Sequence, residues 1–447
     1  MAMSRMVVLV MLMGWEPFQA SAQDGQCLEH ARYIYALFEA NEGDRIHAAL
    51  SEEVRQKSTP ELFHDLLPKI EKQFGALQSA GDWHEGEMQD CTFCYRDLTL
   101  ERYRLRFQLS FNVRRELIGL WLKPVPVSTA TPSTLYNIET MAERELTLGA
   151  DGFELPGTLT LPQNASPDRR VPCMILVHGS GPHDRDETLG PNKPFRDLAW
   201  GLAERGVATI RYDKRTKVYG AACVPSGREL DYDVETVDDA MAAVSWARKQ
   251  PELAADSIYI LGHSLGAMLA PRMAERDSTL AGIVLLAAPV RSLEDLLVEQ
   301  VGYLNSLTGN SAEAKAQLEQ LKLQVANVKR LDSMDFDPSI PLPMGLPASY
   351  WRLNNRYRPA EVAARLKLPI LVLQGERDYQ VTMLDFGLWR INLMRSKNAF
   401  FKSYPKLNHL MQEGVGKSTP LEYQEAAPVP AYLMDDVTRF VHTGRLE

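Results

Sequence analysis

Ser264 lies at the centre of Gly262-His263-Ser264-Leu265-Gly266. A serine hydroxyl flanked by glycines two residues away on each side suits a strained strand-to-helix turn, from which it can attack a carbonyl carbon. Glycine fits those two places because it tolerates strained backbone and close approach. Serine alone is a weak nucleophile and needs a base within hydrogen-bond reach, with a carboxylate to orient that base. If the order along the chain is nucleophile, acid, base, two histidines remain, His409 and His442. His442 ends Asp435-Asp436-Val437-Thr438-Arg439-Phe440-Val441-His442, which reads as an amphipathic helix in solvent. His409 stands in the loop Pro405-Lys406-Leu407-Asn408-His409, after a strand-like run, and is the candidate base.

The acid belongs in the loop after the preceding strand. Pro369-Ile370-Leu371-Val372-Leu373-Gln374 is an uninterrupted apolar run, as a parallel strand buried on both faces requires. It ends in Gly375-Glu376-Arg377-Asp378, and Asp378 is the candidate acid. Glu376 competes with it, and Asp385 is a weaker third that reads as part of the next helix. A tetrahedral oxyanion also needs two backbone donors. One is the N–H of Leu265, directly after the nucleophile. The other is expected from His178-Gly179-Ser180-Gly181-Pro182, the loop after Val171–Val177, with Ser180 first and Gly181 next. None of this chemistry calls for a metal or an organic cofactor. Cys91-Thr92-Phe93-Cys94 has the spacing of a redox or zinc motif, but only His84 stands near it as a further ligand and no thioredoxin-like pattern surrounds it.

The elements that must hold these residues alternate along the second half of the chain. Strand-like segments near 145–161, 171–177, 207–212, 257–261, 282–287, 369–374 and 399–404 are mostly separated by helical patterns. That rhythm means an α/β fold, with a mainly parallel sheet and helices on both faces. It breaks after Pro289. Residues 290–358 form a helical insertion, read as a cap over the site, with Met344, Leu346, Tyr350 and Trp351 as candidates for the substrate-pocket lining or for packing of the cap.

Residues 23–125 form a smaller N-terminal α+β domain. Helical patterning runs from Cys27 to about Gly75. Tyr103, Leu105, Phe107, Leu109 and Phe111 then alternate with polar residues, and Leu117–Leu122 reads as a further strand. A cone like that of nuclear-transport-factor-like domains is the expected shape, with the aromatic stripe as core. Residues 126–141 read as a linker, and 142–447 as the catalytic domain. The role left to the N-terminal domain is self-association, giving a homo-oligomer, or presentation of substrate.

The first 22 residues have the form of an export signal: Arg5, the apolar run Met6–Met13, and Ala20-Ser21-Ala22 before the expected cleavage. The chain is therefore expected to be periplasmic or secreted, with no membrane span after processing, since the apolar run falls short of the roughly 20 residues a span needs. Cys27 with Cys91 or Cys94 is the disulfide expected in that compartment. A net charge of −9 over 447 residues, with no basic stripe, excludes nucleic acid as the natural partner.

Two further stretches are distinctive: Val177-His178-Gly179-Ser180-Gly181-Pro182 followed by Asp184-Arg185-Asp186-Glu187 and Pro191-Asn192-Lys193-Pro194-Phe195, and Arg211-Tyr212-Asp213-Lys214-Arg215. With the Ser264 motif they resemble the α/β-hydrolase superfamily, and within it bacterial serine esterases carrying an extra N-terminal domain. The resemblance covers about residues 140–445. It implies Ser264 as nucleophile, Asp378 as acid and His409 as base, and hydrolysis of a small-molecule carboxylic ester or other acyl substrate. Some members of that group are serine peptidases. An aminopeptidase would need a carboxylate for the substrate amine, for which Glu294, Asp295, Asp184 and Asp186 are available. A non-catalytic binding protein on the same scaffold is the reading from another class.

Overall fold

The computed structural model describes residues 26–56, 58–88, 91–101, 104–125, 136–307 and 312–446. The expected export signal and residues 126–135 of the expected linker lie outside them. The chain divides into two compact units, one of residues 1–126 with 308–314 and one of residues 127–307 with 315–447.

In the first unit, the helix Gln26–Glu39 is followed by shorter helices and then by an antiparallel sheet of β1 (Leu77–Ala80), β2 (His84–Met88), β3 (Cys91–Leu100), β4 (Arg104–Asn112) and β5 (Leu117–Pro124). The order is β1-β3-β4-β5, with β2 also paired to β3. Leu105, Phe107, Leu109 and Phe111 of β4 alternate inward and pack with Ala31, Ile34, Tyr35 and Phe38 of the first helix. The aromatic stripe is thus core, and Tyr35 meets Phe107 edge to face at 5.1 Å. Cys91 and Cys94 are thiols, so the expected disulfide with Cys27 is not formed. They sit three apart on one strand and point to opposite faces, which also separates the two sulfurs of the Cys-x-x-Cys spacing. Burial pushes the Cys94 thiol up to about 12, with Glu85 and Cys27 adding to the effect.

The second unit is built on eight strands: β6 (Met141–Leu148), β7 (Leu155–Pro162), β8 (Val171–Val177), β9 (Ala208–Tyr212), β10 (Leu253–His263), β11 (Gly282–Leu286), β12 (Ile370–Gly375) and β13 (Ala399–Tyr404). Their order is β13-β12-β11-β10-β8-β9-β7-β6. All neighbours are parallel except the β6–β7 and β7–β9 pairs. The segment 145–161, expected as strand, is a hairpin of two strands turned at Gly149–Gly152. β11 and β12 are buried along their whole length, as strands covered on both faces must be. The elbow helix Leu265–Arg276 and the helix Asp238–Ala247 contribute to one core, and Pro194–Glu204 with Ala431–Thr443 to the other.

β10 runs beside β8 on one side and β11 on the other. The loops after β8, β10, β12 and β13 therefore open at the same edge, the carboxyl ends of the strands, where open α/β sheets bind ligands. The cap enters between β11 and β12 with the helices Leu293–Leu307, Ala312–Val328 and Ala348–Arg356. Among the described residues no helix is long and apolar enough to cross a membrane.

Candidate active site

Ser264 sits at the end of β10 with φ 52° and ψ −115°, a backbone conformation costing a non-glycine residue on the order of 1–3 kcal/mol. Surrounding contacts hold it there. Its N–H donates to the Leu286 carbonyl at 2.9 Å, and its carbonyl accepts from Met268 N–H at 2.9 Å. Both flanking glycines are needed sterically. A Cβ on Gly262 would collide with the Gly266 carbonyl, and one on Gly266 would collide with the Val177 and His178 carbonyls. The serine itself remains partly exposed.

His409 is buried in the loop after β13, and its Nδ1 lies 2.6 Å from Asp378 Oδ2. Asp378 is held in turn by the N–H groups of Gln380 and Val381 on Oδ1, at 2.7 and 3.0 Å, and by the Gln374 side chain on Oδ2 at 3.3 Å. The competing carboxylates have other partners. Glu376 accepts from the Ser403 hydroxyl at the sheet margin. Asp385, fully buried, accepts from the Val290 and Arg291 N–H groups and the Arg291 guanidinium, which pins the entrance to the cap. His442 is exposed near the end of its helix. Arg377 ties the loop after β12 to the loop after β13, donating to the Gly416 and Lys406 carbonyls and pairing with Glu422.

Sequence reasoning gave no role to His263, between Gly262 and the serine. Its Nε2 donates to the His409 carbonyl at 2.9 Å, and its Nδ1 lies in ion-pair contact with Glu187 Oε2 at 2.8 Å. The rings of His263 and His409 are 4.7 Å apart between centroids. Burial works against the charge on His263, but Glu187 overcomes it and the net shift is upward. Burial likewise works against the Glu187 carboxylate, yet His263, with His183 and His178, holds it well below its ordinary range. Glu187 Oε1 also accepts the Gly179 N–H at 2.7 Å. One buried ion pair thus joins the elbow, the loop after β13 and the loop after β8. The only signal in the sequence was the presence of Glu187 in a distinctive motif.

Gly179 lies directly against the serine, since a Cβ there would stand 3.2 Å from Ser264 Cβ. Ser180 follows on the exposed side, and Leu265 N–H opens the elbow helix, where no intrahelical acceptor exists. Neither N–H has a protein acceptor among the described residues.

The cap docks on the loops after β12 and β13 through Leu293–Leu307. Tyr303 donates to the Ser418 carbonyl, the Gln300 amide donates to the Gln380 carbonyl, and Tyr303 packs with Tyr379, Leu410 and Tyr423. Of the four pocket candidates, Tyr350 and Trp351 are buried within the cap and its base, and Leu346 is partly buried against the same cluster as Trp351. Trp351 packs on Val328 and Leu331, and the Tyr350 hydroxyl donates to Glu235. Met344 is 61% exposed. A polar cavity of about 380 Å³ lies at the cap base, lined by Met268, Glu294, Asp295, Asn354 and Tyr357 among others; Ser264 and His409 are not part of its wall. Among the described residues no three His, Cys, Asp or Glu side chains converge as a metal site needs.

The sheet order, the sharp turn at the end of its central strand and the loops gathered at one edge define a hydrolase of the α/β-hydrolase fold. A family model described as serine aminopeptidase, S33, matches residues 172–413, just over half the chain. Esterase EstD of Thermotoga maritima is 35% identical over 346 residues, covering 77% of this chain and 78% of that protein. The chain belongs to the serine aminopeptidase S33 family of α/β-hydrolases. Among solved structures, Est1E from Butyrivibrio proteoclasticus is 18% identical, with a TM-score of 0.43 over 67% of this chain and 98% of that one. A puromycin-hydrolyzing peptidase of Mycobacterium tuberculosis is 14% identical, with a TM-score of 0.44 over 83% of this chain and 50% of that one.

Proposed function

We propose that the chain is an exported carboxylesterase in which Ser264, His409 and Asp378 form the catalytic triad. The observation that carries this is the 2.6 Å contact from His409 Nδ1 to Asp378 Oδ2, made at the same edge of the sheet as the elbow, where the serine has φ 52°. Donation from Nδ1 to the carboxylate leaves the lone pair on Nε2, the nitrogen that must take a proton. His409 removes the Ser264 proton as the hydroxyl oxygen attacks the ester carbonyl. The N–H groups of Leu265 and Ser180 stabilise the resulting oxyanion. The C–O bond to the alcohol breaks, and His409 returns the proton to the leaving oxygen. Water, deprotonated by His409, then releases the acid from the acyl-enzyme. Residues 1–22 act as the export signal, checked by sequencing the N-terminus of the mature protein, where Gln23 is expected first.

The family's description raises the aminopeptidase as the second reading, while the 35% identical relative is named an esterase. The four carboxylates that could anchor a substrate amine already have partners. Glu294 accepts from Asn354, Asp295 from Ser292 and Lys329, Asp184 from two backbone N–H groups, and Asp186 from Arg211 and Lys193. That favours the ester. The test is a comparison of short-chain p-nitrophenyl esters with aminoacyl anilides, together with labelling by a fluorophosphonate. Ester turnover and labelling at Ser264 are expected. Preferential anilide turnover would select the peptidase, and a folded protein that is neither labelled nor active would select the binding protein.

A further inference from the structure

The loop His178-Gly179-Ser180-Gly181 carries two glycines, one with φ +105°, so its peptide planes are easily turned. Its direction matters, because the Ser180 N–H is one of the two donors assigned to the oxyanion. In a planar trans peptide the carbonyl of one residue and the N–H of the next point in opposite directions. Whatever fixes the Gly179 carbonyl therefore aims the Ser180 N–H.

The Gly179 carbonyl accepts a hydrogen bond from Lys214 Nζ at 2.9 Å. The same ammonium donates to Glu235 Oε1 at 2.6 Å, and the two side chains are only 2% and 8% exposed. The other oxygen of Glu235 accepts the Tyr350 hydroxyl of the cap at 2.6 Å. Lys214 stands two residues after the end of β9, and its own N–H donates to the His183 carbonyl, just beyond the oxyanion loop. Glu235 lies in the π-helical turn Asp233–Val237, a local irregularity that often marks function. A buried ion pair seldom repays its desolvation as stability, so its retention here is explained by what it holds.

We propose that Lys214 is a positioning residue for the reaction. Its ammonium clamps the Gly179–Ser180 peptide with the Ser180 N–H turned toward the oxyanion, and Glu235 and Tyr350 fix the ammonium from the cap side. This rests on the serine-hydrolase reading of Ser264. The charge on the carbonyl also polarises the peptide and strengthens its N–H as a donor. The pocket candidate Tyr350 thus acts on the reaction through the backbone of the oxyanion loop.

The test uses the full chain with Lys214→Met, Lys214→Met/Glu235→Leu and Tyr350→Phe. Each variant is read by kcat and KM on a short-chain ester, and by affinity for a trifluoromethyl ketone against its methyl ketone counterpart. The fluorinated ketone forms a tetrahedral adduct with an oxyanion and the methyl ketone does not. Removal of an oxyanion donor lowers kcat by roughly 10²–10³, and misaiming one donor is expected to lower it by roughly tenfold to hundredfold. KM should stay within about twofold, affinity for the fluorinated ketone should fall in step with kcat, and affinity for the methyl ketone should hold. Tyr350→Phe should show the same pattern at a few-fold. A folded Lys214→Met enzyme with unchanged kcat and adduct affinity, or with a change in KM alone, overturns the proposal. If Lys214→Met does not fold, the double variant is judged by the same criteria, and if neither folds Tyr350→Phe decides. A wild type that neither hydrolyses esters nor labels at Ser264 removes the hydrolase reading and this inference with it. An active, labelled wild type with indifferent variants removes only the role of Lys214.

Discussion

Replacing Glu187 by glutamine tests the ion pair that joins three segments of the site. The amide can still accept the Gly179 N–H, but it cannot pair with the charge on His263. Breaking a buried pair from one side costs about 3–5 kcal/mol. The lower end applies, because an imidazole left without its partner can shed its proton near neutral pH. At about 2 °C per kcal/mol for a unit of this size, roughly 3 kcal/mol lowers Tm by roughly 6 °C. The pH dependence is the sharper readout. Folding raises the proton affinity of His263, facing Glu187 and, more distantly, Asp378. That stabilisation is complete below the ordinary imidazole value near 6.5 and is lost as pH rises through the raised folded value. Glu187 is shifted the other way. Its contribution is present above the ordinary carboxylate value and is lost as pH falls through its depressed one. Both charges therefore stabilise the fold fully between the ordinary carboxylate value and the ordinary imidazole value, and the His263 contribution fades above its raised folded value. Calorimetric melting of wild type and Glu187→Gln across pH 5 to 9 should show the gap in Tm narrowing at the alkaline end. Parallel curves with a constant gap would refute the ion-pair reasoning and leave Glu187 as a plain hydrogen-bond acceptor.

Ser264→Ala should abolish ester turnover, and Asp378→Asn should lower kcat by several orders of magnitude with a near-UV spectrum like that of wild type, as expected when an orienting carboxylate is lost and the imidazole tautomer is wrong. Gly266→Ala pushes a methyl group into the Val177 and His178 carbonyls. Overpacking of that kind costs roughly 1–3 kcal/mol, and a 1 Å shift of the elbow should cost about 10²-fold in kcat/KM, both readable on one purified sample. Replacing Glu187 and His263 together by apolar residues of similar volume should lower kcat in the same assay, because it releases both the loop after β8 and the loop carrying His409.

The parallel strands were legible because burial on both faces leaves no room for polar residues, so β8, β11 and β12 read as unbroken apolar runs. The elbow was legible because only glycine fits at 262 and 266. The hairpin β6–β7 was less so. Its two strands read as one segment, although Gly149, Asp151 and Gly152 all adopt positive φ at the turn. β3 was missed because its burial does not alternate cleanly: Phe93 and Cys94 are buried in succession, then three partly exposed residues follow. The cap posed another difficulty. Amphipathic spacing identifies a buried stripe but not what buries it, so Tyr350 and Trp351 read as pocket lining as readily as cap interior.

The supporting ion pairs were invisible for a related reason. Glu187 and His263, or Lys214 and Glu235, are far apart in the chain and follow no period, and only the closed sheet brings them together. Their distribution has a physical logic. Ser264, Asp378 and His409 stand on the turns and loops that follow β10, β12 and β13. The loop after β8 is held by Glu187 at the Gly179 N–H and by Lys214 at the Gly179 carbonyl. The loop after β13 is held by His263 and Arg377, and the cap entrance by Asp385 with Arg291. An apolar contact can bury such a loop but cannot set the direction of a single N–H or imidazole, because dispersion is nearly isotropic and a hydrogen bond is not. A site that needs two backbone donors and one ring nitrogen aimed at a common point must therefore accept the desolvation of charged groups behind it.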